Sequence, residues 1–267
     1  MDVRLIKKVK VMKLTLILCL FSFQLSAANG SVAADLSTYE FTKLEEAAPP
    51  LPLVGFSHAP LDAMLRKYVS ATGKVDYASF KNDPTIARYL GMLESATPSA
   101  MSENEEKAFW INVYNIYTIK LIIDNKLPKS IKDIGSPWDK KFIKIAGETY
   151  SLNQVENEIL RPKFKDARVH FAINCASMSC PKLHNAAFTA SNIEAKLEQL
   201  TREFVNDSAM NELSSGRIKI SNIFDWYGVD FKQTGTVIDW LNQYSDVKID
   251  GDAKIGYKSY NWDLNIR

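Results

Sequence analysis

Apolar side chains recur at helical spacing along much of this chain, and alternate at strand spacing in only a few short stretches. Leu61, Leu65, Tyr68 and Val69 mark a first helix with Gly73 as its stop, and Ile86, Leu90 and Leu93 mark a second that ends before Pro98. Ser102-Glu-Asn-Glu105 has the form of a capping box and opens a helix that is apolar on several faces. Trp110, Tyr114, Tyr117 and Leu121 form one stripe of it, and Phe109, Val113 and Ile116 another, the pattern of a centrally buried helix. Asn112 and Asn115 are then buried amides. They either tie down neighbouring loops or turn one amide to a pocket.

Strand signals are scattered. Lys74 to Tyr77 reads as a short strand or turn, and Phe142 to Tyr150 as a hairpin turning at Gly147. Val169 to Ile173 alternates as a strand, and Arg217 to Ser221 as an edge strand. Ser151-Leu-Asn-Gln154 is a second capping box, starting a helix that Pro162 ends. A third, Ser191 to Glu194, opens the amphipathic helix of Ile193, Leu197, Leu200 and Phe204. Val237, Trp240, Leu241 and Tyr244 mark the last helix, before an aromatic C-terminus in strand or loop. Helices outnumber strands, so the expected fold class is α+β: a single domain with a small sheet packed against a predominantly helical layer.

The N-terminus follows a different pattern. A basic run ends at Lys13, the apolar segment Leu14 to Leu25 follows, and Ser26-Ala-Ala28 offers small residues for cleavage. This is the order of a signal peptide, and the apolar run is shorter than the ~20 residues a membrane span needs. Residues 1–28 are therefore read as an export signal, with Met12 an alternative start, and Leu18 before Cys19 argues against a lipoprotein site. Residues 29–57, with Ala47-Ala-Pro-Pro-Leu-Pro52, are read as a flexible Pro-rich arm, and residues 58–267 as the domain. The expected location is periplasmic or secreted.

Composition changes the picture in one respect. The 267 residues are 46% hydrophobic and 24% charged, ample for a core, with a formal charge of +2. Removing residues 1–28 takes away five of 33 basic and one of 31 acidic side chains, leaving 28 against 30, a net of −2. A slightly acidic domain without basic runs among aromatics gives no expectation of nucleic-acid binding. No membrane span is expected in the mature chain, and no cofactor is implied. The partner left is a small molecule or a protein ligand.

Chemistry concentrates in Val169-His-Phe-Ala-Ile-Asn-Cys-Ala-Ser-Met-Ser-Cys-Pro-Lys-Leu-His184, which holds two of the three histidines and both cysteines that follow residue 28. Cys175 and Cys180 could form a disulfide, which an exported protein favours. Cys175 could be a nucleophile, activated by a base or a helix end. His170 is the nearest imidazole in sequence, although an odd offset along a strand puts it on the opposite face from Cys175. His170, Cys175, Cys180 and His184 have the ligand types of a zinc site without a familiar spacing. Two unreactive buried thiols complete the alternatives. His58 is read as a solvated surface residue, and Arg161 and Lys182 as surface charges that could bind an anion.

These stretches resemble the bacterial and plant family known as domain of unknown function 547. The matching segments are Gly73 to Tyr77, Ala108 to Asn115, Val169 to Pro181, Ile223 to Tyr227 with Asp230-Phe231, and Tyr260 to Asn265, in the family's order across about residues 60–267. The resemblance carries no general activity. For its His-to-Cys-Pro motif it implies a cysteine-dependent hydrolase or transferase, loosely like papain-type enzymes. Many members carry a histidine after the glutamate of the Val155-Glu156 helix, where this chain has Asn157. Two functions follow. The first is a binding or structural module shaped by the Cys175–Cys180 loop. The second is a cysteine-dependent hydrolase or acyltransferase, with Cys175 as nucleophile, His170 as base or orienting group, and Glu156 or Asn112 as polar support.

Overall fold

In the computed structural model, residues 55–267 are described. The export signal expected at residues 1–28 and most of the expected arm lie outside them. The last arm residues, Gly55 to Ser57, belong to the fold: Phe56 meets Phe109 edge-on at 5.2 Å, and its N–H donates to Glu105 Oε1 at 2.7 Å. That bond explains why the first capping box does not form. Ser102 occupies the N-cap without a side-chain hydrogen bond, because Glu105 is turned toward the arm.

The helix Glu103–Asp124 is the centre of the molecule. Residues on all its faces are buried from Glu106 to Ile119, as the sequence predicts. Around it pack the helices Ala59–Tyr68, Tyr77–Asn82 and Thr85–Glu94 on one side and Ile193–Val205 on another. His58 caps the first of these but is buried, its Nδ1 2.6 Å from Tyr89 Oη, so it is not the surface residue expected. Burial alone holds its imidazole down at about 4, so it stays neutral.

The expected α+β class is found, with the strands in two small sheets. β1 (Ile143–Ile145) and β2 (Glu148–Tyr150) form the predicted hairpin. Ala146 and Gly147 both have positive φ, 52° and 83°, as a two-residue turn between twisted strands requires. β3 (Glu212–Leu213), β4 (Arg217–Ile220) and β5 (Lys254–Tyr257) form the second sheet. β4 is its central strand, antiparallel to β3 and parallel to β5, rather than an edge. Its alternation reports two faces of a paired strand, not a free edge.

Three further expectations are corrected. Pro162 does not end the helix begun by the Ser151–Gln154 capping box, which does form. The chain widens into a π-helix over Val155–Leu160 and continues through Arg161–Phe164, stopping at Lys165 in the left-handed region. Val169 to Ile173 is not a strand. Ala167–Phe171 is a 3₁₀ helix, capped by Asp166, whose side chain accepts from Arg168 N–H. Its side chains eclipse every third residue instead of alternating. The third capping box is also absent: Asn192, not Ser191, is the N-cap, and Glu194 is drawn to Lys107 at 3.1 Å and Arg168 at 2.7 Å. Lys107, buried on the central helix, also meets Asp166 at 3.3 Å. This ion network clamps the 3₁₀ helix carrying His170 onto the central helix.

Candidate active site around two thiols

The segment Asn174 to Pro181 is irregular, so its shape depends on side chains that replace regular backbone pairing. Asn174 supplies most of them. Its Oδ1 accepts from Ala176 N–H at 2.8 Å, and its Nδ2 donates to the Pro181 carbonyl at 2.8 Å, closing the loop on itself. The tight turn puts Ala176 at φ 63°. Asn115 of the central helix holds the start of the loop: its Nδ2 donates to the Ala172 carbonyl at 2.9 Å, and its Oδ1 accepts from Asn174 N–H at 2.9 Å. The C-terminal segment holds the other side. Asn265 N–H donates to the Ala176 carbonyl at 3.0 Å, Met178 N–H to that of Asp263 at 2.8 Å, and Ser179 N–H to that of Asn261 at 3.1 Å. Behind the loop, Gly73 has φ 77°, and a Cβ there would lie 2.6 Å from Lys182 Cβ. Only glycine meets both conditions.

Both buried amides therefore tie down loops. Asn112 bonds the backbone of Phe188 in both directions, at 2.8 and 3.1 Å, and takes no part in the site.

Cys175 and Cys180 are free thiols among the described residues, so the expected disulfide is absent. Their sulfurs stand 3.0 Å apart, Cys175 S–H donating to Cys180 Sγ when both are thiols; once Cys175 is ionised, only Cys180 S–H can donate between them. Cys175 N–H also donates to Cys180 Sγ at 3.0 Å. Ser177 Oγ lies 3.2 Å and Tyr260 Oη 3.4 Å from Cys175 Sγ, and the two hydroxyls are 3.1 Å apart. The hydrogen bond from Cys180 lowers the Cys175 thiol to about 7 against the opposing effect of burial, helped by Ser177 and Tyr260. Burial pushes Cys180 the other way, well above an ordinary thiol, so it remains the proton donor. Burial and the neighbouring sulfurs likewise keep Tyr260 a neutral phenol.

Cys180→Ala removes the leading donor. If Cys175 then returns to about 9, its thiolate fraction at pH 7 falls ~50-fold while its intrinsic nucleophilicity rises ~8-fold, leaving alkylation by iodoacetamide ~6-fold slower. Timed alkylation of the two proteins checks this, and equal rates would contradict the role given to Cys180.

Cys175 opens onto a cavity of about 330 Å³. His170 and Glu156 line the same cavity, so the 3₁₀ helix removes the opposite-face objection. His170 is buried, and its Nε2 is 2.7 Å from Asp230 Oδ2. Arg161 grips the same carboxylate through Nε at 2.6 Å and Nη2 at 3.1 Å. Burial opposes ionisation of Asp230, yet the hydrogen bonds and charges of His170 and Arg161 hold it at about 2. An ionised Asp230 accepts, so His170 Nε2 carries a proton toward it. Nδ1 lies 3.8 Å from Glu156 Oε1, too far for a hydrogen bond. The Tyr227 ring packs on His170 at 4.0 Å between centroids. The π-helix brings buried Glu156 inward at this point, a common use of such a widening.

Other expected residues lie elsewhere. Asn157 is exposed and accepts from Arg161 at 2.5 Å, so a histidine at this position is not needed to line the cavity. His184 bonds the backbone of Ala186 and sits by Lys196, away from the thiols. Among the described residues, no three His, Cys, Asp or Glu side chains gather as a metal site. Lys182 pairs with Glu203 at 2.8 Å and Arg161 with Asp230, so neither is a free anion site. Sequence reasoning gave no role to Asp230, Tyr227, Tyr260 or the tryptophans 138, 226 and 262, which complete the site. The signal for those beyond residue 220 was the aromatic density of that stretch, with Asp230 among its acids.

No helix among the described residues is long and apolar enough to cross a membrane. No curated protein and no solved structure matches the chain. Residues 98–205 match one protein family, described as "Protein of unknown function, DUF547". The match holds the central helix, Glu156, His170 and both thiols, and stops before Asp230 and the aromatic wall, a narrower span than the motif resemblance.

Proposed function

We propose, from a site whose thiols, Glu156 and His170 lie in the segment 98–205 that matches the DUF547 family, a cysteine-dependent acyl hydrolase or acyltransferase with Cys175 as nucleophile. One observation carries the proposal: Cys175 Sγ, 3.0 Å from Cys180 Sγ and with a lowered pKa, stands at the wall of a cavity that also holds an Asp230-oriented His170. A thiolate near pH 7 attacks a carbonyl carbon. The S–C bond forms as the carbonyl π pair moves to oxygen. Return of that pair breaks the bond to the leaving group and leaves a thioester on Cys175. His170 Nδ1 takes a proton from the water or acceptor that attacks the thioester. Asp230 holds the ring in the tautomer this requires, the division of labour of a nucleophile–histidine–acid triad. The carbonyl reforms as the C–S bond breaks with its pair on sulfur, so the product leaves, Cys175 returns as thiolate, and the proton held by His170 passes to the departed leaving group or to solvent.

We also infer from the order of basic, apolar and small residues that residues 1–28 are an export signal, which places the mature protein in the periplasm or outside the cell. The N-terminal residue of the exported protein tests this, and an intact Met1 or Met12 there would overturn cleavage. In such a compartment the 3.0 Å separation of the thiols favours a second reading, a binding module whose loop is closed by a Cys175–Cys180 disulfide.

The test is incubation of the purified full-length protein with p-nitrophenyl acetate and S-phenyl thioacetate, followed by mass spectrometry of its peptides. The proposal predicts an acetyl group on Cys175 that hydrolyses with time. Reduced protein that acquires no acetyl group overturns it. A quantitative disulfide that resists reduction favours the second reading.

A further inference from the structure

The walls of the cavity facing Cys175 are made of aromatic rings and carboxylates. Trp226 stacks on Trp262 at 5.8 Å with 22° between planes, Tyr260 packs against both at 4.9 and 4.5 Å, and Trp138 meets Trp262 edge-on at 5.8 Å. Trp226 is 48% exposed, a large apolar surface left uncovered beside the opening. Asp139 and Glu156 are the acidic residues lining the cavity, and no lysine or arginine lines it. Asp139 accepts from the Asn153 amide at 2.9 Å, and neither carboxylate pairs with a lysine or arginine among the described residues. The nearby cations are engaged outside the lining: Arg161 grips Asp230, and Lys132 Nζ stands over the Trp262 ring at 5.1 Å.

We propose that this cavity selects a substrate bearing a cationic group, an amine or quaternary ammonium, held against the aromatic wall by Trp226 and Tyr260 with Asp139 at its rim. Ring faces present negative electrostatic potential and attract such a group, and the carboxylates of Asp139 and Glu156 add to the field in a site partly shielded from water. An anionic substrate meets repulsion from Asp139 and Glu156 with no lysine or arginine on the lining to offset it. The inference rests on the reading of Cys175 as a reactive thiolate, because the thiolate reports which charge reaches it.

The probes are three methanethiosulfonates, carrying trimethylammonioethyl, sulfonatoethyl and methyl groups, reacted with the full-length reduced protein. In each case the Cys175 thiolate attacks the sulfenyl sulfur, a mixed disulfide forms and methanesulfinate leaves. Rates at Cys175 are read by peptide mass spectrometry and divided by those of 2-mercaptoethanol thiolate. The proposal predicts a cation-to-anion ratio of at least tenfold, which falls severalfold in Asp139→Asn and in Trp226→Leu and is unchanged in Asp252→Asn, an exposed carboxylate outside the cavity lining. Equal normalised rates, or a ratio that moves as much in Asp252→Asn as in Asp139→Asn, overturn the cation preference alone. Failure of all three reagents to label Cys175 overturns the thiolate assignment and this inference with it.

Discussion

Cys175→Ala is expected to abolish the acetyl adduct and to lower turnover of an activated ester on the order of 10⁶-fold, the scale seen when a covalent nucleophile is removed. The size follows from the chemistry. The other groups at the site position a thiolate or move protons, and none replaces the sulfur that bonds to carbon. His170 oriented by Asp230 can still activate water, which sets the residual rate. The loop does not depend on this side chain for its shape. Asn174, Asn115 and Asn265 make its closing hydrogen bonds, and Cys175 is only partly buried. Unchanged circular dichroism alongside lost turnover is the expected pair of results. A variant that keeps its turnover would exclude Cys175 as the nucleophile.

Asn115→Ala is expected to have the largest effect on stability among the polar residues around the site. It strands the Ala172 carbonyl and the Asn174 N–H in a buried setting, each costing about 1–3 kcal/mol, so a total of about 2–6 kcal/mol. Urea unfolding monitored by tryptophan fluorescence measures it. Asn112→Ala is the informative comparison, since it breaks the same kind of amide-to-backbone pair on the same helix but to Phe188. Both variants lose stability. Only Asn115→Ala also slows Cys175 alkylation under native conditions, because only Asn115 holds the start of the thiol loop. Equal slowing in both variants would remove the special role of Asn115.

The central helix was legible because its apolar residues face every direction, a pattern that only burial explains. The hairpin and the Ser151 capping box were legible because their signals are local. The signals that failed were also local, but were overridden by distant partners. Glu105 caps nothing because Phe56 claims it, and Glu194 caps nothing because Lys107 and Arg168 claim it. Val169 to Ile173 alternates in sequence, yet the ion network around Asp166 winds it into a 3₁₀ turn. The site divides in the same way. Its reactive residues sit within one motif and could be named from the sequence. Cys180 and Ser177 tune Cys175 from within the motif, but the other tuning partners come from far along the chain: Asp230 is 60 residues from His170, and Tyr260 is 85 from Cys175. No spacing rule connects such pairs, and only the fold brings them together.

The account turns on the protonation state of one sulfur, and a pH profile of its alkylation reads that state directly. The Cys180 hydrogen bond stabilises the thiolate, so the rate of Cys175 modification by iodoacetamide, followed peptide by peptide in reduced protein, should rise with pH through a midpoint near 7 and then level off, while Cys180 stays unmodified. A midpoint near 9, or Cys180 reacting ahead of Cys175, would contradict the account.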